Sequence, residues 1–177
     1  YSTKLQKLAL QAGLRFENTA IYANQRTTND IFRRNLPYFF PSAYLTYTFN
    51  KVHESKIGYS RRINRPNPGS VNPFPEYTDP LNLRIGNPQL LPELIESVEA
   101  THMIQTEKST LMTTAFYRYI NGAMQRIRLV QPDGVSLITY QNINYAENYG
   151  LECVYRVQFY KFWSMTYDLN VFRNVLY

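Results

Sequence analysis

The stretch Trp163-Ser164-Met165-Thr166-Tyr167-Asp168-Leu169-Asn170-Val171 decides the fold. Large apolar side chains take every second position, and Ser, Thr, Asp and Asn take the others. Successive side chains of a strand point to opposite faces, so this is a β-strand with one apolar and one polar side. The same alternation sets Leu8, Leu10, Ala12, Leu14 and Phe16 against Ala9, Gln11, Gly13, Arg15 and Glu17. It sets Ala43, Leu45, Tyr47 and Phe49 against Tyr44, Thr46, Thr48 and Asn50. It also sets Leu151, Cys153, Tyr155, Val157 and Phe159 against Glu152, Arg156 and Gln158. Segments 56–64, 93–104 and 110–129 read less cleanly. A helix from Pro88 to Ala100 is a weaker reading than a strand from Glu93 onward. About seven strands result, many longer than the five or six residues usual in soluble sheets.

The connections carry as much information as the strands. Short links fall at 50–54, 105–109 and 160–162, and long or polar ones at 18–38 and 65–92. A tighter turn at Gln131-Pro132-Asp133-Gly134 suits a hairpin. In an up-and-down meander all the short turns lie at one end, the asymmetry of barrels that cross an outer membrane. Segment 65–92 holds seven prolines and is expected to be ordered but irregular, pinned by Phe74, Tyr77 and Leu83.

Composition agrees. The 177 residues are 44% hydrophobic and 18% charged, with 16 Tyr, 10 Phe and one Trp. Mean hydropathy is −0.41, and no run of apolar residues is long enough for a membrane-spanning helix. The aromatic load excludes a disordered chain. What remains is a soluble β-rich domain or a membrane barrel, whose alternating strands average to an ordinary hydropathy.

The net charge is +6, but no helix-turn-helix, zinc-finger or RNP-like motif surrounds the basic pairs Arg33-Arg34 and Arg61-Arg62, so nucleic acid is not an expected partner. Cys153 has no disulfide partner and reads as a small apolar side chain. No Cys/His cluster has metal-ligand spacing, and GxSxG, GxGxxG, P-loop and HExxH patterns are absent. His53 falls in a short turn and His102 mid-strand, with no nucleophile at recognisable spacing, so solvated or interfacial roles are expected. Glu17, Glu99, Glu152 and Asp168 lie on polar faces, where ion-pair ladders with Arg15 and Arg156 are a better reading than a glycosidase pair. Neither catalytic residues nor a cofactor nor a metal is expected. Residues 2–7 have no signal-peptide character, which places the true start elsewhere, by processing or truncation.

Specific residues go further. Tyr59-Ser60-Arg61-Arg62-Ile63-Asn64-Arg65-Pro66, Asn72-Pro73-Phe74 and the run from Asp79-Pro80-Leu81-Asn82 through Gly86-Asn87-Pro88 to Pro92-Glu93 resemble the barrel region of TonB-dependent outer-membrane receptors. The resemblance is to the outer-membrane β-barrel family abundant in Bacteroidetes. Gly13-Leu14-Arg15-Phe16-Glu17, Phe40-Pro41-Ser42-Ala43 and Gly150-Leu151-Glu152 resemble three of its strand motifs, in the family's order.

The resemblance implies an all-β fold: an antiparallel up-and-down meander of about seven long strands, part of a transmembrane barrel. Such barrels have about 22 strands. Residues 1–177 would thus be part of one barrel domain, with the plug and remaining strands outside this chain. Implied partners are outer-membrane lipid, the TonB complex through regions absent here, a nutrient ligand and a surface lipoprotein. The implied role is energised uptake of a glycan, siderophore-like or peptide ligand.

Arg62, Arg65, Tyr77 and Arg84 in the external loop are candidate ligand contacts. The alternative is that Arg61, Arg62, Arg65 and Arg84 pair with Glu76, Asp79 and Glu93 to shape the loop. Tyr47, Phe49, Tyr155, Phe159, Trp163 and Tyr167 are expected on the outward, apolar side, and Tyr38, Phe39, Phe40, Phe74 and Tyr77 at strand starts and in the external loop. Two rival readings are a free-standing structural or adhesive barrel of about eight strands, and a soluble β-sandwich that binds glycans through exposed Tyr and Trp.

Overall fold

The computed structural model describes residues 1–25, 30–79, 81–132 and 134–177. Its main sheet has eight strands: β1 (Ser2–Leu5), β2 (Leu8–Gln25), β3 (Asp30–Thr48), β4 (His53–Asn64), β7 (Glu93–Gln105), β8 (Ser109–Asn121), β11 (Tyr145–Tyr160) and β12 (Trp163–Leu176). They lie in that order, and every neighbouring pair is antiparallel. β1 is a four-residue edge piece, so the expected seven long strands are β2, β3, β4, β7, β8, β11 and β12.

Two connections carry secondary structure of their own. The first contains one helical turn, α1 (Pro68–Val71), with β5 (Glu76–Asp79) and β6 (Asn82–Arg84); the second contains β9 (Met124–Val130) and β10 (Ser136–Asn142). Together they form a second sheet of order β5-β6-β10-β9 at the long-loop end, with β6 parallel to β10.

One register row shows what each face is for. On one face Leu10, Leu45, Ile57, Ala100, Ala115, Leu151 and Val171 are successive cross-strand partners, apolar throughout. The neighbouring row on the other face reads Ala9, Thr46, Lys56, Thr101, Thr114, Glu152 and Asn170. The apolar face is the exposed one: Leu14, Leu151 and Leu169 are 71%, 57% and 64% exposed.

Among the described residues only Phe40, Leu90, Phe116, Ala123 and Ala146 are buried hydrophobics. The accessible area is 12761 Å², whereas a soluble monomer of this mass has about 9,000 Å². A sandwich would bury Trp163, Tyr167 and Leu169, yet all three are exposed, which removes the soluble glycan-binding reading.

Aromatic pairs bracket the apolar band. Phe16 and Phe39 lie 4.9 Å apart at the long-loop end of β2 and β3, and Tyr47 and Phe49 lie 4.8 Å apart at the short-turn end. The nine residues from Leu8 to Phe16 match the 9–11 that a tilted strand needs to cross the hydrocarbon core. Tyr47, Phe49, Tyr155, Phe159, Trp163 and Tyr167 are all exposed on this side, as the alternation predicted. Phe40 is not at a strand start: it lies inside β3, buried on the polar face beneath the Arg15 guanidinium at 4.8 Å.

Segment 18–38, read from sequence as a long polar link, is mostly strand. The β2–β3 ladder continues from Leu8↔Tyr47 to Gln25↔Asp30. Beyond Glu17 the sequence places Asn18, Thr19, Asn35, Arg34 and Arg33 on both faces, so no alternation marks a ladder that stands in water on both sides.

β3 pairs with β4 only from Ser42↔Ser60 down to Thr48↔Glu54. Two prolines account for that limit. The Thr48 amide points to β2, bonding Lys7 O at 2.8 Å, and the Phe49 amide points toward β4, bonding His53 O at 3.0 Å. Amide direction alternates along a strand, so Pro37 and Pro41 lack the donors that would face β4. The β2 ladder loses nothing, and β4 pairing stops at the residue after Pro41.

Residues 110–129 are likewise not one strand. The break falls at Gly122, whose φ of 66° is a left-handed turn that favours glycine.

Lysine at Leu169, in the middle of the apolar band, should cost about 2–4 kcal/mol of stability in a bilayer, and lysine at Thr166 on the polar face little. Urea titration of vesicle-embedded protein checks this, and equal losses at the two positions would contradict the assignment of faces.

Candidate ligand-facing site at the long-loop end

The polar face is wired by side chains. Arg15 meets Glu17 at 3.0 Å, Arg118 meets Glu99 at 3.5 Å, and Ser97 donates to Glu99 at 3.0 Å. Thr101 and Thr114 share a hydrogen bond at 3.0 Å, and Lys56 lies 4.5 Å over the Tyr44 ring. The ladder expected between facing strands does not form at Arg15 or Arg156: Arg15 meets Glu17 on its own strand, Arg156 forms no ion pair among the described residues, and Arg118 of β8 reaches Glu99 of β7. Glu17 and Glu99 are both held by arginine, which suits a structural wall rather than an acid/base pair.

Above this wall the two long connections lock together. Asn67 caps α1, its Oδ1 accepting from the Ser70 amide at 2.8 Å, with Pro68 in the first turn. Gly86 N bonds Asn72 O at 2.8 Å, and Asn87 N bonds Ser70 O at 2.7 Å. A Cβ on Gly86 would lie 2.6 Å from Asn72 N and O, so only glycine lets these backbones approach.

The Asn142 amide group spans the two connections, donating to Leu91 O at 2.9 Å and Gly122 O at 2.7 Å and accepting from Leu91 N at 2.8 Å. Glu93 takes Asn64 Nδ2 at 2.7 Å and the Met124 amide at 2.6 Å, tying the layer to the wall. The loop also reaches the β2–β3 hairpin, where Arg34 donates to Gln89 O at 3.3 Å.

The sequence candidates occupy different environments. Arg62 is exposed on the polar face and has no hydrogen bond or ion pair among the described residues. Arg65 reaches over β3 to Glu17 and Thr19 on β2. Arg84 donates to the Tyr140 hydroxyl at 3.2 Å, across β6 and β10. The side chain of Tyr77 lies outside the described residues, as do Pro80 and Asp133.

Among the described residues Arg61, Arg62, Arg65 and Arg84 form no ion pair with Glu76, Asp79 or Glu93. Arg61 pairs with Glu96 on the apolar face, beside the Tyr59 hydroxyl, because Arg61↔Glu96 is their cross-strand register. Glu76 meets Asn72, and Asp79 meets Leu81 N and Asn82.

At the opposite end of the wall the two histidines, far apart in sequence, come together. His53 Nδ1 lies 3.3 Å from His102 Nε2, and His102 Nδ1 lies 2.8 Å from Ser55 Oγ. Both ring nitrogens of His102 are thus taken up within this cluster, which sits on the lipid-facing side beside Phe49.

A wall apolar outside, polar inside, with short turns at one end and a built layer at the other defines an outer-membrane barrel segment. The chain belongs to the outer membrane protein beta-barrel family, whose model matches residues 1–176. Its membrane is accordingly the outer membrane.

Solved structures share the fold. The siderophore receptor PirA from Pseudomonas aeruginosa is 17% identical with a TM-score of 0.69, over 96% of this chain and 35% of the receptor. The copper transporter OprC is 12% identical, with a TM-score of 0.68 over 94% and 27%. The ferric yersiniabactin uptake receptor FyuA from Yersinia pestis is 15% identical, with a TM-score of 0.63 over 98% and 25%. The chain thus spans about a third or less of the length of the structures it matches. All three are receptors or transporters, the class to which the sequence pointed. Among curated proteins none matches this sequence.

Two outcomes test the upper layer. Gly86→Ala should cost it about 1–3 kcal/mol by overpacking, seen as faster proteolysis of residues 65–92 with membrane insertion unchanged. The Asn82 amide and the Leu81 N–H hold the Asp79 carboxyl below its ordinary value of 3.8. A lowered carboxylate pKa stabilises above the ordinary value, and that support is lost as pH falls through the lowered one. Hydrogen exchange of the Leu81 amide should therefore speed up only in acid below that ordinary value, and Asp79→Asn should abolish the acid step.

Proposed function

We propose that this chain is an arc of the barrel domain of a TonB-dependent receptor that takes up a nutrient across the outer membrane. In this reading the plug, the TonB-contacting segment and the remaining strands belong to parts of the receptor outside these 177 residues. One observation carries it. The sheet is fully amphipathic yet open, because β12 has only β11 beside it and β1 only β2 among the described residues. Hydrocarbon supplies no hydrogen bonds to a strand edge, so such a wall calls for further strands on both sides. A free-standing barrel of eight strands would instead pair β12 with β1.

The upper layer is the proposed gate to the ligand. Arg62, with no ion pair among the described residues, is the member of the candidate set left free to meet cargo, while Arg65 and Arg84 shape the mouth and Tyr77 completes the set. Receptors with this fold are described for a siderophore, for copper and for ferric yersiniabactin, so the shared wall is compatible with different cargo. The ligand class here is a glycan, a siderophore-like compound or a peptide. TonB supplies the energy, and a surface lipoprotein is the further partner.

The test is uptake by cells carrying the full-length receptor with residues 68–90 replaced by a short linker. Because a few contacts carry most binding energy, uptake should fall about tenfold or more while the barrel still inserts. Uptake should also stop when TonB is deleted. Undiminished uptake in either arm would contradict the reading.

A further inference from the structure

The chain's lysines are Lys4, Lys7, Lys51, Lys56, Lys108 and Lys161. Lys56 lies in β4 and Lys4 in the edge piece β1; Lys7, Lys51, Lys108 and Lys161 are exposed in the short turns that join β1 to β2, β3 to β4, β7 to β8 and β11 to β12, and Lys4 is exposed beside the first of them. Each of these turns thus holds a lysine and none holds an arginine, although arginine is the commoner base in this chain. Glu107 is the acid within the turns. Glu54, just beyond one of them, accepts from Thr48 Oγ1 at 3.1 Å on the polar face. Among the described residues none of the five lysines forms an ion pair; Lys7 donates to Phe49 O at 2.9 Å.

Three of the turns also carry exposed apolar side chains beside the charge: Leu5, Val52 and Phe162, the last 89% exposed and stacked on Tyr160 at 5.6 Å. Backbone anchors fix two of these turns. Asn50 Oδ1 accepts from the Val52 and His53 amides at 2.8 and 2.9 Å, and Thr106 Oγ1 accepts from the Ser109 amide at 3.0 Å. Lys51 and Lys108 therefore project from anchored turns.

A phenyl ring and an ammonium group side by side suit neither bulk water nor hydrocarbon. They suit the headgroup layer, where the ring enters the acyl boundary and the flexible lysine stem carries its charge to phosphate. Short turns are the periplasmic end of an outer-membrane barrel.

We propose that this rim is a binding surface for anionic phospholipid headgroups of the periplasmic leaflet, with Lys7, Lys51, Lys108 and Lys161 as its phosphate contacts. The proposal rests on the barrel reading above and adds the lipid that the barrel selects.

The test inserts the full-length protein into phosphatidylcholine vesicles with and without phosphatidylglycerol, then reads by native mass spectrometry which lipids stay bound in mild detergent. Retention should favour phosphatidylglycerol, on the order of fivefold per engaged lysine at low salt, and the preference should shrink as salt shortens the screening length. Joint replacement Lys7→Gln, Lys51→Gln, Lys108→Gln and Lys161→Gln should abolish it, and arginine at the same positions should keep it. Equal retention of the two lipids, a preference insensitive to salt, or its survival in the glutamine variant would overturn the proposal. The salt series on unaltered protein decides the matter even where the glutamine variant fails to fold. Insertion without headgroup preference would leave the barrel reading standing, whereas no insertion into either vesicle would remove both.

Discussion

Hydrocarbon offers no hydrogen bonds, and the rest of this structure follows from that. Each backbone amide and carbonyl in the spanning region must find its partner in the next strand. The registers from β2 through β12 provide this over most of the apolar band; the exceptions are the β4 side of β3, where pairing stops at Ser42, and a register shift between Gln158 and Tyr160 of β11. Pro37 and Pro41 mark the first of these, on the β4 side of β3. They are harmless there because the β2 side keeps all its donors. The same requirement rules out a hydrophobic core between layers, since the apolar side chains are needed outside.

The upper layer obeys a different economy. It stands in water, and what holds it is a set of amide and carboxylate clamps: Asn67 on α1, Asp79 on the β5–β6 turn, Asn142 between the two connections and Glu93 between layer and wall. These contacts join segments far apart in sequence into one body over the mouth. Arg65 and Arg34 fasten the layer to the β2–β3 hairpin. For the proposed receptor a mouth whose shape is set before ligand arrives is an advantage, because ordering loops on binding weakens affinity.

How much of this was legible in the sequence depended on whether a face was buried in something. In β12 and in residues 8–16 of β2, lipid on one side imposes the alternation, so the strands read directly. Residues 18–25 and 30–37 pair just as regularly, but water on both faces imposes no pattern, and the segment looked like a loop. The prolines of 65–92 signalled irregularity, yet β6 lies between β5 and β10 through a parallel pairing with a strand some fifty residues on, which no local pattern encodes. The motifs around Arg61 and Arg65 were visible; their partners were not, because Glu96 follows only from the β4–β7 register and Glu17 lies beyond β3 on β2. His53 and His102 meet for the same reason.

The claim on which everything else depends is that the Leu45, Ile57, Leu151 and Val171 face looks into lipid and the Thr46, Lys56, Glu152 and Asn170 face into a watery interior. Spin labels placed singly from residue 149 to 157 of β11, in the full-length protein reconstituted in a bilayer, measure it directly. Accessibility to oxygen should peak at 151, 153 and 155, and accessibility to a water-soluble nickel chelate should peak at the positions between. Oxygen and nickel accessibility rising and falling together along the strand, or peaking in the opposite phase, would contradict the account.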